Sequence, residues 1–187
     1  SWAGVDIFQV EVFPDAIVSM IIDHDEILFG GVTKSTSYYN SGDANTPFQV
    51  NPSAKIIECG SGAAFARDRL DNSVFWIDTD ERGGGVARRL QGYVPTRIST
   101  HAVESQWASY PKISDAISFS YQMGGHMFWQ IYFPSAQRNS SGEPSNGVTW
   151  LYDVTTGLWT EREFVDKSTG ARMAHRSCNH AFAFGRH

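Results

Sequence analysis

A chain of 187 residues is long enough for one domain with a sizeable core, and 41% hydrophobic residues with 13% aromatics exclude a disordered polymer. The formal net charge of −5 argues against a surface built to grip nucleic acid, which clusters Lys and Arg on one face. No apolar run is long enough to span a membrane as a helix, and no signal peptide opens the chain.

Seventeen glycines and little helical patterning favour an all-β chain. Phe8, Val10 and Val12 alternate with polar residues as a strand that ends near Pro14. Ala16 to Ile22 is a nearly continuous apolar run, suited to a buried strand. Asp23, His24, Asp25 and Glu26 turn the chain into Ile27 to Gly31, a return strand interrupted by glycines. Thr33 to Tyr39 is the third strand, Asn40 to Pro47 a turn-rich loop, and Phe48 to Ile57 leads out of this first unit.

The second unit begins at Ser61 to Phe65 and runs on through Leu70 to Ile77. A loop from Asp78 to Gly85 connects to Val86–Leu90, and Gln91 to Tyr93 turn into Pro95–Ile98. Ala102, Val103, Gln106 and Trp107 then sit at helical spacing, which predicts a short helix capped by Ser99 or Thr100. In the third unit Ile117, Phe119 and Tyr121 share one strand face. Met123 to His126 make a tight turn, and Met127, Trp129, Ile131 and Phe133 share the next face. Ser135 to Gly147 is a solvated loop, and Val148, Trp150 and Tyr152 lead into a closing hairpin that reaches Trp159.

These units repeat. Phe75-Trp76 and Phe128-Trp129 mark equivalent strands, and Tyr39, Tyr93 and Tyr152 fall at comparable places 54 and 59 positions apart. A repeat of about fifty residues with several strands each is the pattern of β-propeller blades. The divisions expected are a first blade over 1–60, a second with its helix over 61–112, a third with an inserted loop over 113–179, and the start of a further blade over 180–187. A ring of about three blades does not close by itself. The chain, which starts at Ser1 without Met, is therefore expected to be part of a longer protein.

Chemistry is harder to find. Asp23 to Glu26 is read as a solvated hairpin tip, because metal ligands converge from separate elements. Asp78, Asp80 and Glu81 lack the spacing of a calcium loop, and Gly83 to Gly85 lack the Lys and Ser/Thr of a phosphate loop. His175, His180 and His187 fit no metal motif and are read as structural or interface residues. No serine lies in a Gly-x-Ser-x-Gly elbow. Cys59 and Cys178 stand in no metal-ligand spacing and read as buried, reduced thiols. Trp76, Trp129 and Trp150 lie in alternating strands and are expected to pack between blades. No catalytic, cofactor-binding or metal residue is assigned, no cofactor is expected, and the chain is not read as an enzyme.

Several blocks, in order, carry a more specific signal: Leu70 to Ile77, Asp80 to Gly83, Gly92 to Glu104, Ser114 to Ala116, Gly125-His126, Phe133-Pro134, Tyr152 to Arg162 and His180 to Gly185. From about Ile17 onward the chain resembles the phage packaged-DNA stabilisation family, which includes the tail accessory factor of the short-tailed phage P22. The insertion from Gln137 to Gly147 is longer than the usual connection in that family. The resemblance implies a structural virion protein of the short tail, assembled in the host cytoplasm. It would form a hub or nozzle ring, a head-to-tail connector of six copies below the portal and adaptor. Its partners would be other copies, the portal, the adaptor and other tail proteins. Packaged DNA would be retained and then conducted through the channel without sequence-specific binding, and the mild acidity would suit a wall that must not hold it. The helix from Ala102 to Trp107 is expected to be a subunit interface. The alternative is a carbohydrate-binding or glycan-processing propeller, which calls for exposed aromatics beside paired carboxylates.

Overall fold

The structure is a computed structural model that describes residues 14–54, 56–79, 83–137 and 147–181. Two-residue turns join the first two strands of each sheet. His24 (φ 52°), Asp71 and Asn72 (φ 50° and 53°), and Gly124 and Gly125 (φ 61° and 83°) all take left-handed backbone angles. Such turns match the right-handed twist of paired strands, and Asn, Asp and Gly reach these angles at least cost.

The first hairpin joins β1 (Ile17–Asp23) to β2 (Glu26–Gly31), and β3 (Ser35–Asn40) and β4 (Phe48–Val50) extend it into an antiparallel sheet in chain order. A 3-10 turn at Pro52–Ala54 leads away from it. The second sheet repeats this order with β5 (Arg67–Leu70), β6 (Ser73–Thr79), β7 (Gly85–Gln91) and β8 (Val94–Arg97). Helix α1 (His101–Ala108) follows, with the Thr100 side chain accepting from the Val103 N–H as its N-cap. The third sheet runs β9 (Ile117–Met123), β10 (His126–Phe133), β11 (Val148–Asp153), β12 (Leu158–Val165) and β13 (Arg172–Ala174).

The first strand of each sheet is the inner one: β5 lies against β1 on one side and β9 on the other. Sheets stacked face to face around their first strands are blades of a β-propeller, and the chain is all-β apart from its short helices. Phe75-Trp76 and Phe128-Trp129 occupy the third and fourth positions of β6 and β10, and Leu28-Phe29 hold the same places in β2. Alternation then sends one member of each pair to each blade interface.

Several expectations change. Ala16 to Ile22 does not make a buried strand. As the edge of the first sheet, β1 leaves Met20 61% and Ile22 57% exposed, while only Ser19 is buried. The stretch from Leu70 to Ile77 is broken by the Asp71-Asn72 turn rather than continuous. Beyond the expected hairpin, β12 continues to Val165, and a turn at 166–171 brings in β13 as a fifth strand. Phe48–Val50 is a paired strand rather than a simple exit. Cys59 is buried and free as expected, but Cys178 is exposed. The strand expected over Phe8–Val12, the carboxylates Asp80 and Glu81, most of the loop from Ser135 to Gly147, and all of the final run beyond Ala181 lie outside the described residues.

Candidate functional site

The densest side-chain packing among the described residues lies in the pair of interfaces between blades, which make the candidate site. Between the first two blades Leu28, Ile57, Cys59, Val74, Trp76 and Leu90 form an apolar cluster. Burial pushes the Cys59 thiol up from its ordinary pKa, which keeps it protonated and inert. The crossing segment is pinned by the Trp76 indole N–H, which donates to the Gly60 carbonyl at 2.8 Å. A side chain at Gly60 would stand 2.0 Å from the Val32 carbonyl oxygen, so only glycine fits there. Asp78 is buried under this crossing. It accepts from the Gly60 and Thr79 N–H groups and pairs with the Arg88 guanidinium at 2.9 Å.

Polar groups lock the rim of the same interface. Asp23 pairs with Arg69 at 3.0 Å, and His24 Nε2 lies 2.7 Å from Asn72 Oδ1. The bond to Asn72, with help from Asp23, raises the His24 pKa. The Glu26 carboxylate accepts from Asn51 and Tyr93 at 2.6 Å each, and from the Ser37 hydroxyl. Asp23, His24 and Glu26, expected as part of a tip pointing into water, thus clasp the second blade, while Asp25 is exposed. Asp23 and Glu26 meet Arg69 and Tyr93 only because two hairpins that are remote in sequence end at one rim. Sequence spacing offered no sign of this.

A larger core fills the second interface. Phe75 and Ile77 of β6 meet Trp129, Ile131 and Phe133 of β10, with Val103 and Trp107 of α1 packed between them. The Trp107 ring lies 5.1 Å from Phe133 and 5.5 Å from Trp159 and is fully buried. The Trp107 face of the helix is thus spent inside the chain, which leaves its exposed face, with Ala102 and Ser105, for any contact with another subunit. Gly85 opens β7 beneath that ring, where a Cβ would lie 3.1 Å from it. Near the axis Ser120 donates to the Arg69 carbonyl at 2.8 Å, joining β9 to β5. Burial pushes the Asp68 carboxyl up from its ordinary pKa.

The far face of the third blade carries a strap. Arg162 donates to Tyr121 Oη at 2.7 Å and to Gln130 Oε1 at 2.9 Å, and the Gln130 amide donates on to the Ser177 carbonyl. His175 donates its backbone N–H to Thr149, and its imidazole pKa is lowered by burial and then by Arg162. His180 stacks on Phe119 with centroids 6.2 Å apart. The strap therefore crosses from the outer strand β13 toward the inner strand β9, as the segments after β4 and β8 do for the blades they leave. The structure thus uses His175 and His180 as packing groups, whereas His187 lies outside the described residues.

The order of the sheets, the inner strands and the crossing segments defines the fold, and the comparison with known families agrees with it. A family model described as Bacteriophage P22 Gp10, beta-propeller, matches residues 4–154. The chain belongs to this family. It is a phage packaged-DNA stabilisation propeller, in keeping with a structural component of the virion. A search of curated proteins found no match. Trp76 and Trp129 pack between blades of this propeller as expected, while Trp150 is only half-buried. Among the described residues, no group of three His, Cys, Asp or Glu side chains is placed to hold a metal. Arg67, Asn72 and Tyr93, which meet the first blade across its interface with the second, were not singled out from sequence for that role. The one available signal was their place in or beside the turns and inner strands of the repeat.

Proposed function

We propose that this propeller is part of a tail hub or nozzle ring below the portal and adaptor of a short-tailed phage, retaining packaged DNA and conducting it at ejection. Membership of the packaged-DNA stabilisation family carries this reading. The interlocked blades support it physically. A channel wall under pressure from packaged DNA needs a stiff frame, and close-packed aromatic interfaces deform little. The ring would be a cyclic hexamer with head-to-tail contacts between copies. It would meet the portal, the adaptor and later tail proteins, and sit in the virion after assembly in the host cytoplasm. The net charge of −5 suits a wall that DNA slides past, since tight phosphate binding needs clustered Lys and Arg. The protein acts by shape and does no chemistry.

The test is retention. Filled particles assembled without the full-length protein should release their DNA, and the purified protein added back before release should hold it in. Particles that keep their DNA equally well without the protein would defeat the proposal.

A further inference from the structure

Helix α1 and the outer strands of the third blade flank an open groove of about 630 Å³ at the outer edge of the second blade interface. We propose that this groove binds a neutral saccharide; the proposal goes beyond the tail role and does not rest on it. The floor is made by Trp150 and Trp159, whose rings sit 6.4 Å apart at 70°. Both indole N–H groups point inward: Trp150 donates to Tyr110 Oη and Trp159 to the Ile98 carbonyl, each at 2.9 Å. The surface offered to the groove is therefore ring carbon, and packing against Trp107 at 6.5 and 5.5 Å holds it still. A rigid aromatic platform loses little entropy when a ligand stacks on it.

The walls are polar. Glu161 stands opposite Trp150 in the β11–β12 register, and Glu163, on the same face of β12, lies 3.4 Å from Arg172. Gln106 faces them from the helix. Acceptors, donors and an amide thus surround an apolar floor. A sugar ring has that complementary form, with C–H groups on its face and hydroxyls at its edge. The volume is that of a small-molecule site. A Lys- or Arg-led peptide could also stack on the indoles, but Arg172 already places a cation beside Glu163. That disfavours a second cation and supplies donors for hydroxyls.

Titration of the ¹⁵N-labelled protein with glucose, galactose, N-acetylglucosamine and a deoxyhexose, read by two-dimensional NMR, tests this. Indole signals are assigned with Trp150→Phe and Trp159→Phe. At least one sugar should shift both indoles and leave those of Trp76 and Trp129 unmoved. Glu161→Gln and Gln106→Ala, both on exposed positions, should each weaken binding about tenfold. No shift with any sugar would overturn the proposal. So would a shift with acetyl-arginine amide alone, which would mark a peptide site. Equal affinity in wild type and both variants would reduce the effect to unspecific stacking and overturn it too.

Discussion

Replacing Arg67 by Met should stabilise the protein. Arg67 lies in the inner strand β5 between the first two blades, only 9% exposed, and none of its guanidinium nitrogens has an acceptor within hydrogen-bonding distance among the described residues. It stacks over Trp76 at 5.4 Å, and a Cβ on Gly30 would stand 2.5 Å from its Nη2. Burial pushes its pKa down to about 10, with Asp78 offsetting part of the effect. Converted at the usual rate, that displacement costs about 3 kcal/mol of folding free energy. The sign follows from the charge. The fold disfavours the guanidinium cation, so the cost is present in full below pH 10 and lifts only as pH rises above it. Methionine keeps an apolar stem of similar length without the charge, while the lost stacking on Trp76 returns about 0.5–2 kcal/mol. The net gain should be about 1–2 kcal/mol at neutral pH, a rise of about 2–8 °C in Tm for a chain of this size. Urea unfolding of both proteins, compared by midpoint at unchanged m-value, measures it. A Met variant less stable by about 1 kcal/mol or more would instead show that the guanidinium has an acceptor and contributes to stability.

Three further outcomes follow from the same interfaces. Trp107→Ala should cost about 3–5 kcal/mol, because it empties a fully buried site between the second and third blades; thermal unfolding reads it, and near wild-type stability would place the ring elsewhere. His24 has a raised pKa, so its contribution to stability is fully present below the unfolded pKa and fades as pH rises through the folded one; Asn72→Ala should move the His24 titration, followed by NMR, back down toward its ordinary value. A thiol reagent applied to the native protein should label Cys178 rapidly and Cys59 only on unfolding, which mass spectrometry of the peptides distinguishes.

Much of the fold was legible because β-structure writes its period directly into sequence. The alternation from Ile117 to Phe133 and the Gly124-Gly125 turn give β9 and β10 almost residue by residue. The helix was legible from Thr100 and the spacing of Val103 and Trp107. The limits are equally physical. Alternation and helical spacing give faces but not which sheet each face meets, so the packing of Trp107 between the second and third blades was not legible. The first blade hides its place in the repeat because Leu28-Phe29 replaces the Phe-Trp pair of the others. The β12 extension and β13 were missed because Thr160 to Glu163 is polar throughout and partly solvated, as an outer strand permits. At the candidate site, Asp23, Glu26, Arg69, Asn72 and Tyr93 are ordinary turn and strand residues until the sheets stack. Their partners lie 46 to 67 positions away, beyond the reach of any local pattern.

The proposed role is that of a propeller subunit in a channel ring beneath the portal. Electron microscopy of the full-length protein bound to a portal–adaptor assembly tests it most directly. The expected result is a six-fold ring whose lumen admits duplex DNA, with the inner strands β1, β5 and β9 stacked about the axis of each subunit. A monomer that ignores the portal, or a ring whose lumen is closed to DNA in every state, would contradict it.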